Sequence, residues 1–186
     1  MNRRKPDNSL GTGVYFATDD YVGLGRRLVI LVIDIAVLGA GVVALDVASS
    51  VWLFSEETYG MISLGGLLFA YLYLTVIKAS RLRTLGYRMV GARIVTLKGE
   101  RPSVFRMTFR LFLWVFGPLN VVADLIWLGV DRDRQSLRDH FAGTFVVKAS
   151  AAPIGEGPIH LAYVQAFALS LMLPTVTRPR EPAESA

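Results

Sequence analysis

Arg27–Leu45, RLVILVIDIAVLGAGVVAL, is a run of apolar residues with one aspartate, Asp34, set inside it. Arg27, Asp34 and Gly41 are spaced by seven residues, so at about 100° per residue they fall on one stripe of a helix. An ionised side chain well inside a bilayer costs about 2.5 to 3.5 kcal/mol on insertion scales, so this stripe should face protein or water and not lipid. On another face, Ala36, Ala40 and Ala44 recur every four residues, a row of small side chains that lets a second helix approach closely.

The rest of the composition agrees with a membrane assignment. The chain has 186 residues, 53% of them hydrophobic, and a mean hydropathy of +0.44. Its apolar runs approach the roughly 20 residues that a helix needs to cross a bilayer. The net charge is +5 and the pI about 9.7, but the basic residues flank the apolar runs, so they are better read as topology signals than as a nucleic-acid surface. There is no cysteine, which excludes disulfides, thiolate metal sites and a cysteine nucleophile. The first apolar run is long and follows a polar-leaning start, unlike a signal peptide, and is expected to remain in the mature protein.

Residues 1–20, with Arg3, Arg4, Lys5 and Gly11-Thr-Gly13, read as a flexible arm. The first span is expected over residues 28–48 and the second over Met61–Ile77, joined as an antiparallel hairpin by a loop carrying Glu56 and Glu57. From Lys78 to Arg110 there are nine basic residues against one acid, Glu100, which puts this segment and the N-terminus in the cytoplasm. Within it Ala92–Leu97 is strand-like, as is Phe141–Lys148, and the two are expected to pair in a small cytoplasmic sheet. A third apolar run, Leu111–Val130, contains Gly117-Pro118, Asn120 and Asp124; Pro118 breaks or kinks it. Charge favours a re-entrant or interfacial hairpin turning at Pro118, length favours a single span, and the balance tips slightly to the hairpin. The last apolar piece, Ile159–Leu173, is an interfacial helix or a short fourth span, and the tail from Thr175 reads as disordered. The expected fold is therefore an α-helical integral membrane protein: an N-in two-helix hairpin, a Pro-broken third segment, a fourth short apolar piece and a small β element. The division is an arm at 1–20, a membrane domain at 21–150 and an extension at 151–186.

Three segments carry a resemblance to the RDD family of bacterial membrane proteins, named for one arginine and two aspartates. RRLVILVIDIAVL resembles its opening helix and gives Arg27 and Asp34 as the arginine and first aspartate. RTLGYRMVGARIVTLKGERPS resembles its T-x-G-K-R-x-x-G segment and gives Thr84, Gly86, Arg88 and Gly91; the departure is Tyr87, where a lysine is usual. RQSLRDHFAGTFVV resembles the closing D-x-x-A-G-T-x-V-V motif and gives Asp139, Gly143 and Thr144, with Asp139 as the second aspartate and Asp124 as its rival. The resemblance implies a bacterial inner-membrane location and a loosely defined role, with transport of ions or small solutes suggested.

For function, a polar site around Asp34, joined by Asn120 and Asp124, suits exchange of a cation or proton, because desolvation raises a carboxyl's pKa and a cation lowers it. Its structural counterpart is an Asp34 that pairs with Arg27, Lys78 or another chain and holds the helices together. Two or three spans cannot enclose a pathway, so transport requires a homo-oligomer. The alternative is a membrane scaffold or accessory subunit whose basic loop binds a partner or anionic lipid. Asp139, carrying charge opposite to Arg27 and Arg88, is expected to fold back on one of them. An enzyme is the least favoured reading: His140 beside Asp139 is no acid–base pair by adjacency, and DRDRQSL has Ser136 and Ala142 where a calcium loop needs Gly and Glu, which leaves Asp131 and Asp133 as a solvated cluster. No metal or other cofactor is expected.

Overall fold

The computed structural model describes residues 9–51, 56–115, 124, 127–129, 131, 133–166 and 169–178. Its long elements are α1 (Leu24–Val51) and α2 (Glu56–Leu72), the latter continued by a π turn over Tyr73–Ile77. Both are long and apolar enough to cross a membrane, over Leu24–Ser50 and Gly60–Ile77. Val29, Val32, Ile35, Val42 and Val43 on α1, and Met61, Leu64, Leu67 and Leu68 on α2, are exposed. So wide an apolar surface is unfavourable in water and natural in lipid. The helices approach where α1 carries Gly41 and α2 carries Gly66: a Cβ on Gly66 would lie 3.2 Å from Leu45, and one on Gly41 4.0 Å from Phe69. The alanine row at 36, 40 and 44 is exposed and takes no part in this contact.

At one end of the hairpin lies a polar layer built from α3 (Leu85–Met89), β2 (Ala92–Thr96), α4 (Val104–Val115), α5 (Leu137–Ala142) and β3 (Thr144–Lys148). β2 and β3 pair antiparallel with Ile94 opposite Val146, which is the pairing expected from their strand-like composition. Side chains of a strand alternate between faces, so this two-stranded sheet has two apolar sides. One side presents Ala92, Ile94 and Val146 to Ile30 of α1, Tyr87 of α3 and Met107 of α4. The other presents Val95, Phe145 and Val147 to Phe16, Tyr21, Ile159 and Val176. Phe16, Tyr21 and Phe145 meet edge-on, with centroids 5.5 to 6.3 Å apart.

The second side is covered by elements of a kind not expected. Residues 159–173 form neither a helix nor a span: β4 (Gly155–Ala166) and β5 (Leu169–Val176) are an antiparallel hairpin. Residues 12–15, expected within a flexible arm, are strand β1 (Thr12–Tyr15) on the edge of β4, giving the order β1-β4-β5. Thr175 and Val176, expected in a disordered tail, complete β5, and Arg178 beyond them forms ion and ring contacts with Asp133, Tyr15 and Tyr21. Asp133 is thus buried and paired, and Asp131 accepts from the backbone N–H groups of Asp133 and Gln135 and faces His140 at 3.4 Å; neither belongs to a solvated cluster.

In the third apolar run, Pro118 and Asn120 lie outside the described residues. Helix α4 takes in the start of the run and begins earlier, at Val104. Its exposed side carries Phe105, Phe109 and Phe112, spaced as one helix face, while Met107 and Arg110 are buried opposite. That is the pattern of a helix lying in the membrane interface. Arg110, just before the run, and Asp124, within it, meet neighbouring residues of α5: Arg110 pairs with Asp139 and Asp124 with Arg138.

Phe145 makes two of these three aromatic contacts and is about 1% exposed. Phe145→Ala is expected to destabilise the polar layer by roughly 3–5 kcal/mol, measured by chemical denaturation in detergent with Tyr21 and Phe16 left in place.

Candidate functional site

Two buried carboxylates organise the contact between the hairpin and the polar layer. The first is Asp34, about 10 Å along α1 from Arg27 by helical rise. Its Oδ1 accepts from the Gly86 backbone N–H at 3.0 Å and from the Tyr73 hydroxyl at 3.1 Å. Its Oδ2 accepts from the Thr84 hydroxyl at 2.9 Å and faces the Lys78 ammonium at 4.0 Å. The Tyr73 hydroxyl in turn accepts from the Leu85 N–H at 3.0 Å.

These contacts have a common cause. The first N–H groups of a helix have no partner inside it, and the N-cap residue of α3, Thr84, does not cap with its own side chain. Asp34 and Tyr73, from two other helices, satisfy those groups instead. A π turn bonds residue i to i+5, a wider turn than the α-helix, and the one over Tyr73–Ile77 brings Tyr73 and then Lys78 to the same carboxylate. Gly86 is required by closeness: a Cβ there would lie 2.6 Å from the Ile30 carbonyl oxygen and 2.8 Å from Asp34 Oδ1.

The second carboxylate is Asp139, which is fully buried. Its Oδ2 pairs with Arg27 Nη1 at 2.5 Å and its Oδ1 with Arg110 Nη1 at 2.5 Å. With Ser136 it also forms the capping box that starts α5. Arg27 makes two further hydrogen bonds: Nε donates to the Val22 carbonyl at 3.0 Å and Nη2 to the Arg134 carbonyl at 2.6 Å. Arg134 holds the left-handed conformation (φ 48°) that few non-glycine residues adopt, and in it the carbonyl meets Arg27. Arg110 also donates to the Thr144 hydroxyl. Burial alone would raise the Asp139 pKa, but the guanidiniums of Arg110, Arg27 and Arg138 outweigh it and hold the carboxyl well below the usual range.

The residues singled out in the sequence therefore divide. Thr84, Gly86 and Asp34 are brought together at one joint; Arg27, Asp139 and Thr144 at the other. Asp124 joins neither: it is paired with Arg138, Nε to Oδ2 at 2.7 Å. Arg88 is exposed and meets neither carboxylate. Gly91 (φ 67°) and Gly143 (φ 59°) make left-handed turns that lead into β2 and β3. At position 87, where the motif usually has lysine, the Tyr87 ring is buried, and Lys78 places its ammonium 5.0 Å from the ring centroid. Tyr73, Arg110 and Ser136 were not anticipated. Ser136-x-x-Asp139 was open to recognition as a capping pattern, whereas nothing distinguishes Arg110 among nine neighbouring basic residues.

A family model described as the RDD family matches residues 21–143. The chain belongs to the RDD family. No curated protein and no solved structure gives a significant match. The matched segment begins at Tyr21, ends at Gly143 and contains both carboxylates, Asp34 and Asp139, with the arginines that pair with Asp139, while β4 and β5 lie outside it. With the family and two lipid-length apolar helices together, this is a membrane protein.

Between the joints lies a cavity of about 90 Å³, lined by the charged Arg27, Asp34, Lys78, Arg110 and Arg138 and by apolar side chains that include Leu31, Ile35, Leu38, Leu74 and Trp114.

Two predictions follow from the joints. Gly86→Ala should lower the melting temperature of the purified protein by several degrees, because its Cβ meets backbone that cannot yield; an unchanged melt would show that α3 is free to shift. Asp139→Asn should cost roughly 3–5 kcal/mol, since it strips charge from a site holding two buried guanidiniums. Because the folded pKa of Asp139 lies below the unfolded value of 3.8, this contribution is fully present above about pH 4 and is lost as pH falls through the depressed value. The stability gap between wild type and Asp139→Asn, followed by thermal melts, should be constant from pH 7 to pH 5 and close only below pH 4.

Proposed function

We propose that this RDD protein is a non-catalytic scaffold of the bacterial inner membrane, with its N-terminus and basic polar layer in the cytoplasm, and that the layer engages anionic lipid headgroups. The observation that carries this reading is the set of partners around Asp34. A carboxylate offers about four acceptor directions; Gly86, Tyr73 and Thr84 hydrogen-bond three of them, and the Lys78 ammonium faces the carboxylate at 4.0 Å. A cation or proton that used Asp34 would have to displace the groups that start α3. The sidedness is supported by the nine basic residues from Lys78 to Arg110, which favour the cytoplasmic face.

The outer surface of the layer supports the lipid contact. Arg81, Arg88, Lys98, Arg101 and Arg106 are exposed, and beside them Leu82, Leu85, Met89 and Phe105 are exposed as well. Basic residues interleaved with apolar ones suit a surface that presses into headgroups, each Lys or Arg near an anionic leaflet contributing about 1 kcal/mol.

Transport is the competing reading, and reconstitution separates the two. Purified protein in proteoliposomes is expected to show no flux driven by sodium, potassium or proton gradients. Asp34→Asn, which removes one acceptor of the α3 cap, is expected to lose about 1–3 kcal/mol of stability. Flux in the wild type that Asp34→Asn abolishes while its thermal melt stays unchanged would overturn the scaffold reading.

A further inference from the structure

The cavity between the two joints has a charge and a shape that the scaffold alone does not require. Four cations line it: Arg27, Lys78, Arg110 and Arg138. Three carboxylates answer them, Asp34 to Lys78, Asp139 to both Arg27 and Arg110, and Asp124 to Arg138. With all four cations charged, one formal positive charge is left over in a place where burial makes an uncompensated charge costly, and that burial, with Arg138 beside it, lowers the Lys78 pKa to about 7. The weakest of the pairings is Lys78 with Asp34, at 4.0 Å, so the ammonium has donors to offer another anion while Gly86, Tyr73 and Thr84 still hold Asp34. A bound group carrying one negative charge would balance the site.

The polarity of the cavity runs along the membrane. Arg27 lies near the start of the first span and Asp34 about 10 Å further along α1, and beyond Asp34 the α1 lining is apolar, with Ile35 and Leu38. Leu74 of the second span and Trp114 of α4 add to the apolar lining. The cavity, of about 90 Å³, is partly open, so a headgroup can enter it while an acyl chain continues along its apolar lining on α1.

We propose that this cavity is a one-to-one site for the phosphodiester headgroup of an anionic phospholipid, held by Lys78 and Arg138 beside the Arg27–Asp139–Arg110 joint, with its acyl chain along Leu31, Ile35 and Leu38. The proposal rests on the scaffold reading and deepens it: the exposed basic surface makes diffuse contact with many headgroups, whereas the cavity selects one lipid. A free phosphate shares the headgroup chemistry but makes no use of the apolar lining.

Native mass spectrometry of the delipidated full chain tests this with three probes: phosphatidylglycerol, phosphatidylcholine of the same acyl chains, and inorganic phosphate. One phosphatidylglycerol per chain should be retained, in preference to phosphatidylcholine, and excess inorganic phosphate should not displace it. Lys78→Gln should weaken retention about tenfold, as expected for loss of one charge-assisted contact. Leu31→Trp, which adds bulk to the apolar lining and changes no charge, should weaken it as well, and keeps the test open if Lys78→Gln does not fold. Equal retention of the two lipids, or retention unaffected by both substitutions, overturns the proposal. Displacement by inorganic phosphate at equal concentration assigns the site to free phosphate and overturns the lipid assignment. Failure of the scaffold reading would appear separately, as gradient-driven flux.

Discussion

A single buried carboxylate, Asp139, stands between guanidiniums from the first membrane helix and from the amphipathic helix α4. Neither Arg27 nor Arg110 reaches water freely, so each needs a partner where it lies, and the fold must bring α5 to them to supply it. The capping box with Ser136 explains why this carboxylate is so firmly placed: the same atom that meets Arg27 also accepts the N–H that begins α5. The direction of α5, and through Gly143 the start of β3, follows from one ion pair. One carboxylate cannot neutralise two guanidiniums, and the carbonyls of Val22 and Arg134 and the Thr144 hydroxyl take up their remaining donors.

Asp34 solves a different problem. A short helix such as α3 has little intrinsic stability, and its first N–H groups point at the side of a membrane helix where water is scarce. A carboxylate projecting from α1 into that point satisfies them, and a tyrosine delivered by the π turn completes the cap. The apparent contradiction of an acidic residue inside an apolar run disappears once its partners are counted. The requirement for Gly86 has the same origin, because the cap works only if the backbone of α3 comes within hydrogen-bond reach of α1.

Much of this was legible in the sequence where a residue broke its own local pattern. An aspartate in an apolar run has to be answered by something, and seven-residue spacing put Arg27 on the same stripe. The β2–β3 pairing showed itself because both segments are rich in β-branched residues between turn signals. Ile159–Leu173 did not, because it is apolar at both odd and even positions and so has neither a period of two nor a clear helical one. Only the contacts of Ile159 and Val176 with Phe16 and Tyr21 decide that it is a hairpin covering a sheet. The pairing of Arg178 with Asp133, 45 residues apart in the chain, likewise has no local signature.

The two joints also constrain each other through α1. Arg27 and Asp34 lie two helical turns apart on one stripe, so the distance between the elements they hold, α5 and α3, is set by a rigid rod of hydrogen-bonded backbone. Inserting one residue between them would turn one joint about 100° away from the other and leave a buried charge without its partner. The cavity between the joints is therefore not a loosely packed gap that neighbouring side chains can close, because each wall is fixed by an ion pair or a cap on the same helix. A site whose walls are already held in place loses little freedom when it is filled, so a headgroup entering it keeps most of its interaction energy as affinity.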